Sequence, residues 1–336
     1  MTMMSIGDMS QLFTSRRQNT QLKGQMQTLT AELSSGKVAD LAKHLGGDQT
    51  RLAGIDRTLA LQDGFGRAAT ETAQSLSMMQ TTLAQVDATR GTLANRLILT
   101  DTGTAAADVP ANAAAARDGF ASIVRALNVK AGNQSLFAGA ATDSAALADP
   151  GAMLADIRAA VAGATTVADV QTAVAAWFDA PTGGFATMGY LGDTGPALTR
   201  RVDPDETLRI DARADAPAIR DLLTAAAVAA IADDPGITLS DTDRAGILRD
   251  AGTRLMTGSD PLVRMRAALG SIEGRLEELG AAQSAQISML QISRNDMTAA
   301  DPYDTATRLQ TVQQQLETHY TLTARLSRLT LTDYLR

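Results

Sequence analysis

The sequence predicts a mainly α protein, a long antiparallel coiled-coil or helical-bundle rod built from its N- and C-terminal segments, with a smaller α+β outer domain inserted between them. Three observations predict it. Near both ends, apolar residues recur in alternating steps of three and four, the seam spacing of paired helices. Aromatics are only 3% of residues while Ala, Leu, Thr, Gln and Met are abundant, a composition that favours long helices over dense aromatic cores. Between about Ser135 and Gly258 the texture changes, with more Gly and Pro and shorter apolar runs. At 336 residues and 45% hydrophobic, the chain exceeds one ordinary core and has the apolar content to pack two or three domains.

The first helix follows from Leu12, Asn19, Leu22, Met26, Leu29 and Leu33, and Ser34-Ser35-Gly36 should end it. After a corner at Gly46-Gly47 the pattern resumes at Leu52, Ile55 and Leu59 and runs through Leu76, Met79, Leu83, Val86, Arg90, Leu93 and Leu97, room for a helix of more than about forty residues. Pro110 should separate it from a third, alanine-rich helix carrying Phe120, Ile123, Val124 and Leu127. In the middle segment, Leu198 to Val202 and Thr207 to Ile210 read as strands or turns, and Ser240 with Asp243 as a capping box. Past Asp260-Pro261 the heptad returns as Met265, Leu269, Ile272, Leu276, Leu279, Gln283, Ile287 and Leu290. Asp301-Pro302 opens the last helix, Asp as N-cap and Pro at the first helical position. Its seam is Leu309, Val312, Leu316, Tyr320, Thr323, Leu326 and Leu329. Long helices at both ends most simply pair with each other, leaving the middle segment at the far tip.

Charge and composition exclude several functions. The net charge of −7 and the isolated pairs Arg16-Arg17 and Arg200-Arg201 give no basic stripe for nucleic acid. From Ala141 to Asp260 there are 18 Asp or Glu against 9 Lys or Arg, so the acidity lies in the middle segment, a face that stays in water. Without cysteine, disulfides, thiolate metal sites and a cysteine nucleophile are absent, and two His are too few for an ordinary zinc enzyme. The longest apolar run, Leu222 to Ile231, is half the roughly 20 residues that cross a bilayer, so no membrane insertion is expected. Met1 to Phe13 lacks a basic n-region and is interrupted by Ser5, Asp8, Ser10 and Gln11, so no cleaved secretory signal is visible.

Catalytic motifs are missing as well. His44 at a corner and His319 on a polar helix face read as surface residues. Gly64-Phe65-Gly66 has neither a third glycine nor a preceding strand, no Walker sequence occurs, and no Gly-x-Ser-x-Gly elbow positions a nucleophile. Asp203-Pro204-Asp205-Glu206 and Asp241-Thr242-Asp243 lack the spacing of a calcium loop. No enzyme, cofactor or metal is expected.

The terminal helices carry one narrow apolar stripe each, with Gln, Ser and Thr around it. Such a pair removes a few hundred Å² at about 25 cal/mol per Å², against roughly 1–2 kcal/mol per residue of backbone ordering. The ends are therefore expected to order fully only against neighbouring copies or partners. An ordinary intramolecular hairpin is the other reading.

With both ends in view, four segments carry a family resemblance. Leu33-Ser34-Ser35-Gly36-Lys37 closes the first helix; Leu136-Phe137-Ala138-Gly139 is followed by Thr142-Asp143; Gly189-Tyr190-Leu191-Gly192-Asp193 is followed by Gly195; and Leu326-Ser327 to Leu331 leads into Asp333-Tyr334-Leu335. In this order they resemble the flagellin superfamily, within it the hook-associated proteins of the hook–filament junction. The resemblance implies a terminal coiled-coil assembly domain at 1–45 plus 295–336, a helical rod domain at 46–140 plus 258–294, and an inserted outer α+β domain at 141–257. It implies export by the flagellar type III apparatus without a cleaved signal peptide, an extracellular place in the bacterial flagellum, and a homo-oligomeric ring. Partners would be a neighbouring hook-associated protein, flagellin and an export chaperone. The assembly interface would be Leu12, Leu22, Met26, Leu29, Leu33, Leu309, Val312, Leu316, Tyr320, Leu326 and Leu329. Flagellin itself and a cytoplasmic coiled-coil scaffold are the alternatives.

Overall fold

The computed structural model describes residues 6–100 and 105–328. Its elements are α1 (Ile6–Ser35), α2 (Leu41–His44), α3 (Thr50–Ile98), α4 (Ala105–Leu127), β1 (Lys130–Ala131), β2 (Gln134–Ser135), α5 (Pro150–Val161), α6 (Val167–Asp179), β3 (Leu198–Arg201), β4 (Thr207–Ile210), α7 (Pro217–Ala230), α8 (Asp241–Thr257), α9 (Ser259–Thr298) and α10 (Pro302–Arg328). The chain divides into two units, one of Met1–Gln62 and Ser284–Arg336, the other of Asp63–Gln283. The fold is mainly α, as the periodicity requires, with two two-stranded antiparallel sheets among the described residues, β1–β2 and β3–β4.

In the unit of Asp63–Gln283, the heptad positions of α3 are all buried: Leu76, Met79, Leu83, Val86, Arg90, Leu93 and Leu97. Arg90 stands where the pattern has an apolar residue. Its Nε donates to Asp87 Oδ1 at 2.7 Å and its guanidinium to Leu255 O at 2.6 Å, so the buried charge is paired while it closes the C-terminal end of α8. The apolar run noted in sequence is α7, whose Ile219, Leu223 and Ala226–Ala227 are fully enclosed among α4, α6 and α8. Alanines on α7 and α4 let their backbones approach, while Phe120, Ile123, Val124 and Leu127 of α4 complete the packing at zero exposure. Arginine closes α7 too: Arg117 donates to Ala230 O at 3.0 Å and pairs with Asp233, and Arg244 donates to Ala232 O and Ile237 O.

The scarce aromatics are concentrated. Trp177, Phe178, Phe185 and Tyr190 form one cluster, with centroid separations of 4.7–6.2 Å. Trp177 Nε1 donates to Asp156 Oδ2 at 2.6 Å. A single π turn, Phe185–Gly189, feeds Tyr190 into this cluster.

Two sequence expectations are corrected. Pro110 does not break the helix: α3 ends at Ile98, and α4 starts at Ala105, so Pro110 lies in the second turn of α4. Its missing N–H and ring cost about 3 kcal/mol, offset by the burial of Val109, Ala113 and Ala116 around it. Ser240 caps α8 by accepting from Asp243 N at 3.1 Å, but the Asp243 carboxylate meets the Ser240 hydroxyl rather than its backbone, so the box is not reciprocal. A full capping box stands instead at Thr166 and Asp169, opening α6.

Candidate assembly surface

Helices α1 and α10 pair in the unit of Met1–Gln62 and Ser284–Arg336. Gly36, at φ +67°, ends α1 in a left-handed conformation open to glycine at little cost. The chain then runs beside the α9–α10 corner: Val38 N donates to Thr298 O at 2.9 Å and Ala300 N to Gly36 O at 3.0 Å. Asp301 Oδ1 accepts from Tyr303 N and Asp304 N and starts α10. At the other end Ser15 meets His319, so the two helices run antiparallel.

The seam has the expected period. On α1 it is Ser15, Asn19, Leu22, Met26 and Leu29, all half-buried, and on α10 it is Thr305, Leu309, Val312, Leu316 and His319. Val312 is the best covered of the apolar members, at 8% exposure. Every residue between these positions is exposed, apart from half-buried Ala306. The pair thus shares one stripe, and the rest of each helix faces outward.

The expected interface residues fall into three groups. Leu22, Met26, Leu29, Leu309, Val312 and Leu316 stand in the seam. Leu33 and Tyr320 are exposed, at 41% and 45%. Glu32 is half-buried in place of Leu33, its Oε1 accepting from Ala39 N at 2.8 Å as the chain turns. His319 takes the seam position in place of Tyr320, which stands outside with Lys23 Nζ 5.9 Å from its ring centroid. His319, expected on the surface, has its Nδ1 buried without a hydrogen-bond partner. Three-and-four spacing from Leu316 reaches either 319 or 320, and hydrophobicity alone picks the tyrosine. The side chains of Leu12 and Leu326, and the whole of Leu329, lie outside the described residues.

Below the hairpin, Leu52 and Ile55 of α3 are buried, Arg294 pairs with Asp56 at 2.7 Å, and Gln62 donates to Gln286 at 3.1 Å. Of twelve exposed large apolar side chains among the described residues, eight belong to this unit: Phe13, Leu33, Leu61, Met289, Ile292, Tyr303, Tyr320 and Leu322. That concentration marks the unit as the one with apolar surface left to cover.

The inner motifs quoted above meet within the other unit. Asp193 N donates to Ala138 O and Ala214 N to Phe137 O, both at 2.9 Å, and Tyr190 Oη donates to Asp193 O at 3.1 Å. A Cβ on Gly139 would stand 2.8 Å from Asp193 O, and one on Gly192 would stand 2.5 Å from Tyr190 Oη. Both glycines are required by backbone approach. Burial raises the titration of Tyr190 and of Asp215, the latter opposed by the adjacent Arg213 at 3.0 Å. These contacts form a tightly packed knot, and no group of three His, Asp or Glu fit to hold a metal occurs among the described residues. No helix among them is long and apolar enough to cross a membrane.

Compared with protein families, residues 259–335 match the bacterial flagellin C-terminal helical region. This stretch of the chain is thus similar to a flagellin C-terminus. That region takes in all of α9 and α10, and with α10 one half of the hairpin. Among solved structures, a flagellar hook-associated protein from Vibrio parahaemolyticus matches 73% of this chain and 95% of its own, at 12% identity and a TM-score of 0.49. No curated protein matches this chain by sequence.

Proposed function

We propose that this chain is a structural subunit of the bacterial flagellum, an adaptor at the hook–filament junction on which flagellin polymerises. The observation that carries the reading is the match of residues 259–335 to the flagellin C-terminal region, because that segment supplies α10, which pairs with α1 along a thin seam. Residues 1–45 plus 295–336 form the assembly domain, 46–140 plus 258–294 the rod, and 141–257 the outward domain. Subunits form a ring seated on a neighbouring hook-associated protein. They leave the cell through the flagellar type III apparatus, escorted by an export chaperone, and act without catalysis.

The decisive experiment is electron microscopy of a deletion strain with an immunoblot of its medium for flagellin. Bare hooks with flagellin lost to the medium are expected, and normal filaments would refute the adaptor. The family match itself favours a second reading, that the chain is a flagellin. High copy number along purified filaments would select it.

A further inference from the structure

The pair Arg200-Arg201 belongs to none of the features above. It lies on β3, in a segment with twice as many acidic as basic residues, yet among the described residues neither arginine has a carboxylate at ion-pair distance. Arg201 donates to the backbone oxygens of Asp203 and Pro204. Arg200 donates to Gln134 Oε1 at 3.1 Å, which links the β3–β4 hairpin to the β1–β2 hairpin.

Between the two hairpins and α3 is a cavity of about 100 Å³. Its apolar wall includes Met79, Leu198 and Ile210, and its polar wall includes Arg200, Gln134 and Ser135. Ser135 is 3% exposed, and its hydroxyl has no hydrogen-bond partner. Its backbone N–H is already committed to Thr142 O at 2.6 Å. A buried hydroxyl left unsatisfied is costly, and a guanidinium holding one amide oxygen keeps donors to spare. A hydroxyl can donate and a guanidinium only donates, so one acceptor answers both groups on this wall, and a negatively charged one pairs with the arginine as well. The volume is well above the roughly 10–15 Å³ that one water needs, which admits a planar or tetrahedral oxyanion.

We propose that this cavity binds a small oxyanion of the size of acetate or inorganic phosphate, with Ser135 donating through its hydroxyl and Arg200 through its guanidinium. Glu71, on the exposed rim, opposes binding and sets its limit.

The test uses the full chain, with Trp177, its one tryptophan, as the fluorescence reporter of the unit that holds the cavity. Phosphate or acetate is titrated at ionic strength held constant with chloride. The unfolding midpoint should rise by several degrees with saturation, Ser135→Ala and Arg200→Gln should each remove most of the rise, and Glu71→Gln should enlarge it. Equal rises in all variants would mean general salt stabilisation and would overturn the site. Calorimetric titration of the unsubstituted protein guards against a variant that fails to fold, and absence of saturable heat with either ion overturns the proposal too. So does self-association lost in Arg200→Gln without any response to the ions, which would give the arginine to a protein contact.

Discussion

Ser15 Oγ lies 3.3 Å from His319 Nε2, across 304 residues of sequence. This polar layer stands at one end of the described seam, next to Asn19, beyond the apolar members Leu22, Met26, Leu29, Leu309, Val312 and Leu316. It satisfies one imidazole nitrogen and leaves the other buried without a partner. Polar layers of this kind fix register at a cost in stability. The double variant Ser15→Ala, His319→Leu should therefore stabilise the α1–α10 pair by about 1 kcal/mol while admitting alternative registers. Urea denaturation followed by helical circular dichroism gives the first quantity, and cysteine cross-linking between introduced seam pairs gives the second. A weaker hairpin in the double variant would show the hydrogen bond to be a net stabiliser.

Leu316 stands on the same seam between Val312 and His319. A carboxylate there would either lie in the stripe without a partner or force the helices apart. Leu316→Asp should cost the hairpin about 2 kcal/mol and block incorporation into flagella while the protein is still exported. Immunoblots of sheared flagella and of medium check both halves; incorporation at the normal level would remove the seam from the assembly interface.

In the other unit, Gly192 has no room for a methyl group. A Cβ would stand 2.5 Å from Tyr190 Oη and 2.6 Å from Ala138 O. Gly192→Ala should lower stability by about 1–3 kcal/mol, read as an earlier Trp177 unfolding transition. Gly246→Ala, whose Cβ meets nothing within 4 Å, is the control and should leave the transition in place or raise it slightly.

Acid should act on this unit in two opposite senses. Burial raises Asp215 above the ordinary aspartate value of 3.8, outweighing Arg213. The folded state therefore favours its protonated form, and its contribution, fully present below the unfolded value, is lost as pH rises through the folded one. Asp169 is lowered, by its hydrogen bond from Thr166 above all, so its contribution is present above the ordinary value and lost as pH falls through the folded one. In urea titrations between about pH 3 and 7, Asp215→Asn should flatten the fall in stability on the rising side of pH 4, and Asp169→Asn should flatten the loss on the acid side. Parallel curves for both variants and the parent would contradict these assignments.

Much of this was legible because helices repeat. The runs through Leu76 to Leu97 and Leu269 to Gln283 stand buried or half-buried at the positions where the heptad puts them, and Gly36 and Asp301 end and start helices as local chemistry dictates. Period alone could not place His319, since 319 and 320 both continue the spacing and only the partner helix decides between them. Nor could it foresee that a proline would sit inside α4, because the compensation comes from burial of neighbours. The knot of Gly139, Tyr190 and Gly192 rests on contacts between segments about fifty residues apart, which a single sequence does not pair.

The α1–α10 stripe has half-buried members on α1, and on α10 only Thr305 and Val312 are buried, whereas α4 and α7 have whole faces at zero exposure. Opening free energy follows buried apolar contact, so the hairpin belongs to the low-stability end of the chain. Isolated helices of its length gain little from propensity alone. In a dilute monomer, amides of 15–30 and 305–320 should exchange at least about a hundredfold faster than those of 219–229. In purified flagellar assemblies the same amides should become protected, because neighbouring copies would cover the faces that bear Phe13, Tyr303 and Leu322. Protection of the monomer's hairpin equal to that of α7 would mean the thin seam suffices by itself, and the surplus apolar surface would then need another explanation.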